Sequence, residues 1–213
     1  MIKRRPAPKA KRLGRPTGFA RDDAIGAAMT LFWQKGYRAV SASDLADAMS
    51  IRRSSFYNSF GSREAVYREA LSQYTAQSPD APLDRVVRGQ PVVPVLVSVF
   101  REICRVRAAD KEARGCLVCN GAAELVGVDE ETGPLVERAI SNRAAAFAKL
   151  LRQAVDQREI AAETDVPATA QACVTFLVGL NTISKVVRSE KQLWASCRQF
   201  LTGIGVPKRA LID

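Results

Sequence analysis

Histidine is absent from the 213-residue chain. Without an imidazole, Ser-His-Asp and Cys-His nucleophile systems are excluded, and so is any metal site that needs a histidine ligand. The N-terminus has basic residues but no apolar stretch behind them, and the five cysteines are an odd number. We therefore expect a cytoplasmic protein that is not an enzyme and carries no cofactor.

Long apolar runs are also lacking. The runs near Val92–Phe100 and Ala172–Leu180 are too short to cross a bilayer and predict buried helices, so no membrane partner is expected. Strand-like alternation is missing from residue 95 onward, where apolar residues recur at helical spacing instead. The sequence therefore predicts an all-α fold.

Acidic residues are missing from the first 21 positions, which hold eight lysines and arginines of a chain whose net charge is +10. A basic segment on a nearly neutral body indicates a polyanionic partner, for which double-stranded DNA is the best candidate. Residues 1–20 are predicted to form a disordered basic arm. Gly14-Arg15-Pro16 is similar to a minor-groove hook, which makes Arg12 and Arg15 candidate DNA contacts; the alternative is a solubilising tail with loose phosphate contacts.

Two short helical patterns, separated by a turn of about four residues, occupy residues 41–60, SASDLADAMSIRRSSFYNSF. The first has Leu45, Ala46 and Met49 on one face, with Ser43 as the expected N-cap of an incomplete capping box. The second pattern is polar and carries two arginines. This arrangement predicts a helix-turn-helix whose second helix enters the major groove, covered by an upstream helix that stops at Gly36.

These residues resemble the N-terminal domain of the TetR/AcrR family of transcriptional regulators. The shared pattern is an apolar helix ending in F-x-x-x-G-Y, then S-x-x-x-L-A, then F-Y-x-x-F-x-S-R-E-x-V. Two positions depart from it, because Ser50 stands where the family has a turn glycine and Arg52 where a capping serine is common. The pattern is occupied by Phe32, Gly36, Tyr37, Ser41, Leu45, Ala46, Phe56, Tyr57, Phe60, Ser62, Arg63, Glu64 and Val66.

The helix-turn-helix and the resemblance together suggest a set of DNA contacts. The two arginines at the start of the second helix are expected to reach guanine edges, or the phosphate backbone for at least one of them. By resemblance, Tyr57 gives its hydroxyl to a phosphate while its ring packs in the head, and Arg63 contacts a phosphate. The predicted DNA-binding residues are Ser41, Ser43, Arg52, Arg53, Ser54, Ser55, Tyr57, Asn58 and Arg63.

The domain organisation follows from a proline-rich loop at Ser78–Pro94. Residues 21–77 are predicted to be the helix-turn-helix DNA-binding domain with its connecting helix, and residues 78–213 an effector-binding and dimerisation domain. The body helices are predicted over Val95–Ala108, over Gly115–Val126, from Gly133, from Asp165 to about Val187, and from Glu190 to about Ile204.

In TetR-like proteins the last two helices form the dimer interface and the middle helices line an effector cavity, so the resemblance implies a homodimer and a small-molecule effector. The predicted interface residues are Phe176, Leu180, Ile183, Val187, Leu193, Trp194, Phe200 and Leu201. The predicted cavity residues are Phe100, Cys104, Asn120, Phe147 and Phe176. The alternative for both sets is simple packing within one chain. Glu124 lies one turn after Asn120, and for it the alternative is a solvated side chain.

Cys116 and Cys119 form a Cys-x-x-Cys pair. In a helix they share one face with apolar neighbours, which favours buried packing. Zinc would need two more ligands, and neither a second Cys-x-x-Cys nor a histidine supplies them. A thiol switch, which needs exposure and thiolate character, is the remaining alternative.

The sequence thus predicts a ligand-responsive DNA-binding transcriptional regulator, a repressor that binds a pseudo-palindromic operator as a dimer and is released by an effector of unknown identity. A redox-sensing regulator that acts through its cysteines is one alternative. A constitutive DNA-binding protein without an effector is another, although DNA contact alone needs no helical body of this length.

Overall fold

The computed structural model of the protein describes residues 21–212, so the predicted arm, with Arg12 and Arg15, lies outside the described residues. Residues 21–212 form nine α-helices and two short 3₁₀ turns without any strand, which confirms the all-α prediction. The helices are α1 (Arg21–Lys35), α2 (Ala42–Ala48), α3 (Arg53–Phe60), α4 (Arg63–Gln77), α5 (Val92–Ala109), α6 (Leu117–Leu125), α7 (Gly133–Asp156), α8 (Val166–Ile183) and α9 (Glu190–Gly203).

The head, residues 21–77, is built on an aromatic core between α1 and α4. Phe32 lies edge-on to Tyr67 with ring centroids 5.2 Å apart, and Tyr37 packs against both rings at 5.7 and 4.9 Å. All three side chains are buried. Because each aromatic pair adds about 0.5–1.5 kcal/mol beyond the area it buries, this core makes a firm support for α2 and α3.

The body, residues 78–212, pairs α7 with α8 and α5 with α9 around one apolar core. Helix α5 follows Pro91, which has no side chain able to cap it. The carboxylate of Glu159 does so instead, accepting from the N–H groups of Val92 at 2.7 Å and Val93 at 2.8 Å. A carboxylate at this end also suits the positive end of the helix dipole.

Helix α8 is shorter than the sequence predicts, because it ends at Ile183 and not near Val187. The Ser184 hydroxyl donates to the carbonyl of Asn181 at 2.8 Å, and Lys185 N–H turns to the carbonyl of Thr182. Both hydrogen bonds join residues three positions apart, so they tighten the last turn, and the helix ends there.

The conclusion that the apolar run at Ala172–Leu180 is too short to cross a bilayer does not hold for helix α8 as a whole. The helix has the length and apolar composition of a membrane span, although only 33% of it is buried within the chain. It packs along α7 in the body, so length and composition alone do not indicate a membrane segment.

Helix α6 of the body packs directly against the head. Its Leu117 and Leu125 belong to the same apolar cluster as the head core. Close approach to α4 depends on Gly121, where a Cβ atom would lie 2.7 Å from the Tyr67 hydroxyl and 3.1 Å from Val136 Cγ2. Both neighbours are buried and cannot move aside freely.

We expect Gly121→Ala to destabilise the protein by about 1–3 kcal/mol, because the added methyl group overpacks the contact between α6 and α4. Gly26→Ala is the matched control: Gly26 also lies inside a helix, but its Cβ would meet only the end of the Gln73 side chain at 3.8 Å. The control should be neutral or gain up to about 1 kcal/mol of helix propensity. Urea denaturation of both variants measures the difference, and equal effects would contradict the tight packing at Gly121.

Candidate nucleic-acid interface

Helix α2 begins with a complete capping box. The Ser41 hydroxyl accepts from the N–H of Asp44 at 3.1 Å, and the Asp44 carboxylate accepts from the N–H of Ser41 at 2.8 Å. The prediction that Ser43 is the N-cap is therefore wrong, because aspartate takes the place of the expected glutamate or glutamine one turn earlier. Ser43 lies exposed in the first turn.

The capping box also argues against a phosphate at Ser41. Asp44 holds both the N–H and the hydroxyl of Ser41, the latter at 2.6 Å. These hydrogen bonds lower the pKa of Asp44 below its ordinary value. The carboxylate is therefore charged at neutral pH and repels a phosphate at this point. Of the two serines, only Ser43 stays a candidate contact.

The turn between α2 and α3 takes the conformation expected from its sequence. Ser50 has a φ of +55°, in the left-handed region that costs a non-glycine residue about 1–2 kcal/mol. The N–H groups of Ser50 and Ile51 reach back to the carbonyls of Asp47 at 3.0 Å and Ala46 at 2.9 Å, which closes the end of α2. Arg52 then precedes α3 and makes no capping hydrogen bond with its side chain.

Helix α3 presents a polar face to solvent. Phe56 and Phe60 are buried and anchor it in the head. Arg52 and Arg53 are exposed, and within residues 21–212 no carboxylate forms an ion pair with either of them. The exposed side chains are Arg52, Arg53, Ser54, Tyr57 and Asn58, with Ser55 half-buried. The structure thus brings the predicted base-reading residues together on one surface.

Two predicted phosphate contacts are placed differently from expectation. The Tyr57 ring is 46% exposed, edge-on to Phe56 and 5.9 Å from the Arg53 guanidinium, so it lies on the surface of the head. Arg63 donates to the carbonyl of Val40 at 3.1 Å, and its guanidinium lies 4.1 Å from the centre of the Tyr37 ring. Arg63 therefore holds the loop before α2, and its predicted phosphate contact stays a prediction.

Contacts between α6 and the head were not predicted from the sequence. The Glu124 carboxylate, for which solvation was the alternative, accepts from the N–H groups of Tyr37 at 3.1 Å and Arg38 at 2.7 Å. At the other end of α6, Trp33 Nε1 donates to the carbonyl of Gly115 at 3.2 Å. Both contacts join residues more than 80 positions apart, so no local pattern reveals them.

A small cavity of about 50 Å³ lies between α4, α6, α7 and α8. The polar groups that line it include Tyr74, Ser78, Asn181 and the two cysteines Cys116 and Cys119. None of the predicted effector-cavity residues, Phe100, Cys104, Asn120, Phe147 and Phe176, lines this cavity, and Asn120 lines a separate surface groove. Phe100, Cys104 and Phe147 are buried in the body core, Phe176 packs against Phe200, and Asn120 donates to the carbonyl of Arg114.

Cys116 and Cys119 are less buried than the packing interpretation predicts, although Cys116 packs against the apolar cluster of the head. Both are half-buried, and they line the cavity. Hydrogen bonding with Cys119, the positive charge of Arg107 and hydrogen bonding with Tyr74 lower the pKa of the Cys116 thiol. The pKa of Cys119 is raised. Among residues 21–212 no cluster of three or more histidine, cysteine or acidic residues could hold a metal ion.

The predicted dimer residues divide into two groups. Leu180, Leu193, Trp194 and Leu201 are buried within the single chain, so their assignment to an interface is wrong and they belong to the core. Phe176, Val187 and Phe200 are half-buried and Ile183 is 48% exposed. Only this second group could meet a partner without unpacking the body.

Two family models match separate parts of the chain. The family model described as "Bacterial regulatory proteins, tetR family" matches residues 24–70, and the one described as "Tetracyclin repressor-like, C-terminal domain" matches residues 93–200. A solved structure of the TetR family transcriptional regulator CifR, a cysteine mutant complexed with 26-bp operator DNA, has a TM-score of 0.79 and 29% identity. That match covers 90% of this chain and 100% of the CifR chain.

Two relatives from Escherichia coli K12 are named as HTH-type transcriptional repressors. The chain is 37% identical to BdcR over 109 residues, which span 51% of this chain and only 55% of BdcR. It is 30% identical to ComR over 156 residues, which span 72% of this chain and 71% of ComR.

We expect Arg52→Ala or Arg53→Ala to weaken binding to the preferred DNA sequence by about 1–3 kcal/mol if the arginine reads a base, with little change on random DNA. Arg152→Ala, which removes an exposed arginine of α7 in the body, is the control. The preferred sequence is first selected from random duplexes, and affinities are then measured by fluorescence anisotropy. Equal losses on selected and random DNA would mean that the arginine contacts only phosphate.

Proposed function

Because this chain belongs to the TetR family of DNA-binding transcriptional regulators, we propose that it is a cytoplasmic repressor that binds a pseudo-palindromic operator as a homodimer and leaves it when a small molecule acts on the body. The observation that carries this proposal is the exposed, arginine-bearing face of α3 on a tightly packed head. The names of BdcR and ComR favour repression over activation. Residues 1–20 would add basic contacts beside each head.

The proposed dimer uses the exposed apolar side of α8 and α9. Phe176, Gly179 and Ile183 follow one another at helical spacing along α8, and Val186 just beyond it is 77% exposed. The Phe176 ring lies parallel to that of Phe200 on α9, with centroids 4.1 Å apart. An apolar strip across two helices is best covered by the same strip of a second copy, related by a two-fold axis.

Dimerisation explains how two short recognition helices could specify an operator. A two-fold axis places the two copies of α3 in successive major grooves if they lie about 34–36 Å apart. The affinity then depends on the separation of the heads. A molecule that binds better to a state with a different separation releases the DNA, and needs no contact with α3 to do so.

Helix α6 is the element that we propose couples the body to the head. It lines the cavity with Cys116 and Cys119 and touches the head through Glu124 and through Gly115. A change in the first turns of α6 would therefore alter contacts on both sides of the loop that leads into α2. Coupling of this kind is commonly worth about 1–3 kcal/mol.

Ile183→Asp is expected to convert the dimer into a monomer or to weaken it by several kcal/mol, because a charge in the apolar interface would lack a partner. The matched control is Val128→Asp, which puts the same charge on a valine that is 61% exposed and lies between α6 and α7. Sedimentation equilibrium measures the association of both variants. A folded dimeric Ile183→Asp protein would exclude the α8–α9 interface.

The regulatory role itself is tested with a reporter gene placed behind the selected operator. We expect the parent chain to lower transcription, and Arg53→Ala and Ile183→Asp to relieve this repression while Val128→Asp keeps it. Increased transcription with the parent chain would make the protein an activator. A monomer that still represses fully would show that one head is sufficient.

A further inference from the structure

Cys116 and Cys119 lie at the N-terminal end of α6 in an arrangement suited to thiol chemistry. Cys116 is the N-cap residue, with extended backbone at φ −112° and ψ 129°, and Cys119 is the third residue of the helix. The first N–H groups of a helix lack partners within it and, with the helix dipole, favour a negative charge at this position. A Cys-x-x-Cys pair at a helix N-terminus is a setting that lowers the pKa of the first thiol.

A buried cation beside this pair lacks a carboxylate. Arg107 is 3% exposed, and it donates to the neutral Asn181 Oδ1 at 2.7 Å and to the Tyr74 hydroxyl at 2.9 Å. Within residues 21–212 no aspartate or glutamate pairs with it, whereas Arg143 at the same cavity has both Asp80 at 2.9 Å and Asp84 at 3.1 Å. An unpaired buried cation is costly, and a thiolate would compensate it.

Cys119 on α6, Arg107 on α5 and Tyr74 on α4 lower the pKa of the Cys116 thiol, while its burial raises it. The other charged groups at the cavity are Asp80 and Arg143, which form an ion pair with each other. Cys119 and Tyr74 keep their protons, since the pKa of each is raised. The site therefore combines a thiol with a lowered pKa, a second thiol with a raised pKa and the positive charge of Arg107.

We propose that Cys116 and Cys119 form a dithiol site that reduces hydroperoxides and is oxidised to an intramolecular disulfide in the process. The disulfide changes how α6 packs against the head. This inference rests on the proposed function and names the chemical class of its signal. Cys116 is the attacking thiol, Cys119 the resolving thiol, and Arg107 and Tyr74 are positioning residues.

The reaction balances with the peroxide as the only added reactant. The Cys116 thiolate attacks one peroxide oxygen, the O–O bond breaks, and the departing hydroxide takes up a proton to become water. The sulfenic acid left on Cys116 is then attacked by the Cys119 sulfur. The S–S bond forms, the S–O bond breaks, and the hydroxide leaves with the Cys119 proton as a second water. Two thiols are oxidised and one hydrogen peroxide is reduced to two waters.

The size of the cavity favours a small oxidant. A water molecule needs about 10–15 Å³ on this measure, so 50 Å³ has room for a few atoms, well short of the roughly 300 Å³ where ligand pockets begin. Hydrogen peroxide or a small alkyl hydroperoxide fits without rearrangement. A second, protonated thiol, that of Cys119, lies beside Cys116, which suits the formation of a disulfide. A site that only formed an adduct on one cysteine would need no second thiol.

The disulfide would change contacts with the head. Cys116 has extended backbone and Cys119 lies in the first turn of α6, and a disulfide would fix their Cβ atoms about 3.8 Å apart. The bond would thus tie the residue that precedes α6 to the first turn of the helix. The carbonyl of Gly115, next to Cys116, accepts from Trp33 Nε1, and the Arg114 guanidinium lies 4.1 Å from the centre of the Trp33 ring. Movement there reaches α1 of the head directly.

The chain supplies an internal control. The sulfurs of Cys104 and Cys197 are 3.4 Å apart, yet both residues are fully buried and the pKa of Cys197 is raised. Proximity alone would favour oxidation of that pair, whereas access and thiolate character favour Cys116 and Cys119. Reduced full-length protein is treated with one equivalent of hydrogen peroxide, quenched by alkylation and mapped by peptide mass spectrometry.

We expect loss of two thiols and 2 Da per chain, with the disulfide between Cys116 and Cys119 and Cys104, Cys173 and Cys197 still alkylated. Cys119→Ser should accumulate a sulfenic acid on Cys116 that dimedone traps, and Cys116→Ser should react at least tenfold more slowly. Tyr74→Phe should slow the first step several-fold and leave the mapped product unchanged. A disulfide at Cys104–Cys197, or equal reaction of all five thiols, would overturn the proposal.

The effect on DNA is measured on the same samples. We expect the oxidised parent to bind the selected operator about 5- to 150-fold more weakly, with recovery after dithiothreitol, and Cys119→Ser to show no reversible loss. Disulfide formation with unchanged DNA affinity would exclude a regulatory role for the disulfide. Failure of the reduced protein to bind any DNA would instead remove the proposed function, while the mapped disulfide would stand.

Discussion

The carboxylate of Glu124 is the contact on which the two halves of the molecule depend. It accepts from two consecutive backbone N–H groups, those of Tyr37 and Arg38, in the loop between α1 and α2. Gly36 allows this approach, since its φ is +81° and a Cβ atom there would lie 2.9 Å from the carboxylate. The body thus holds the backbone at the entrance to the helix-turn-helix.

The parts of the fold that local sequence determines were predicted well. Helix α7 begins at Gly133-Pro134 as expected, because proline suits the first turn of a helix. The four-residue turn, the left-handed Ser50 and the uncapped start of α3 also agree with the sequence. These features depend on backbone chemistry over a few neighbouring residues. The error at Ser43 came from expecting a glutamate or glutamine where Asp44 serves equally well.

The parts that depend on distant contacts were predicted poorly. The stripes of α8 and α9 are apolar on more than one side, and sequence alone does not tell which side faces the core; Leu180, Leu193 and Leu201 face inward and Ile183 outward. The aromatic residues assigned to the cavity fill the body core, as large apolar side chains generally do. The contacts of Arg63 within the chain could not be predicted because its partners, the carbonyl of Val40 and the ring of Tyr37, lie more than 20 residues away.

The buried guanidinium of Arg107 links the cavity to both functional surfaces. It bonds Asn181 of α8, whose opposite side bears the exposed apolar strip, and Tyr74 of α4, the helix that carries the head. Its charge also faces Cys116. Replacing a thiolate by a neutral sulfur removes the negative charge nearest to this cation in a region of low dielectric, where Coulomb interactions are strongest. Disulfide formation would therefore join Cys116 covalently to the first turn of α6 and remove the ionic attraction between Cys116 and Arg107, whose other partners lie on α4 and α8.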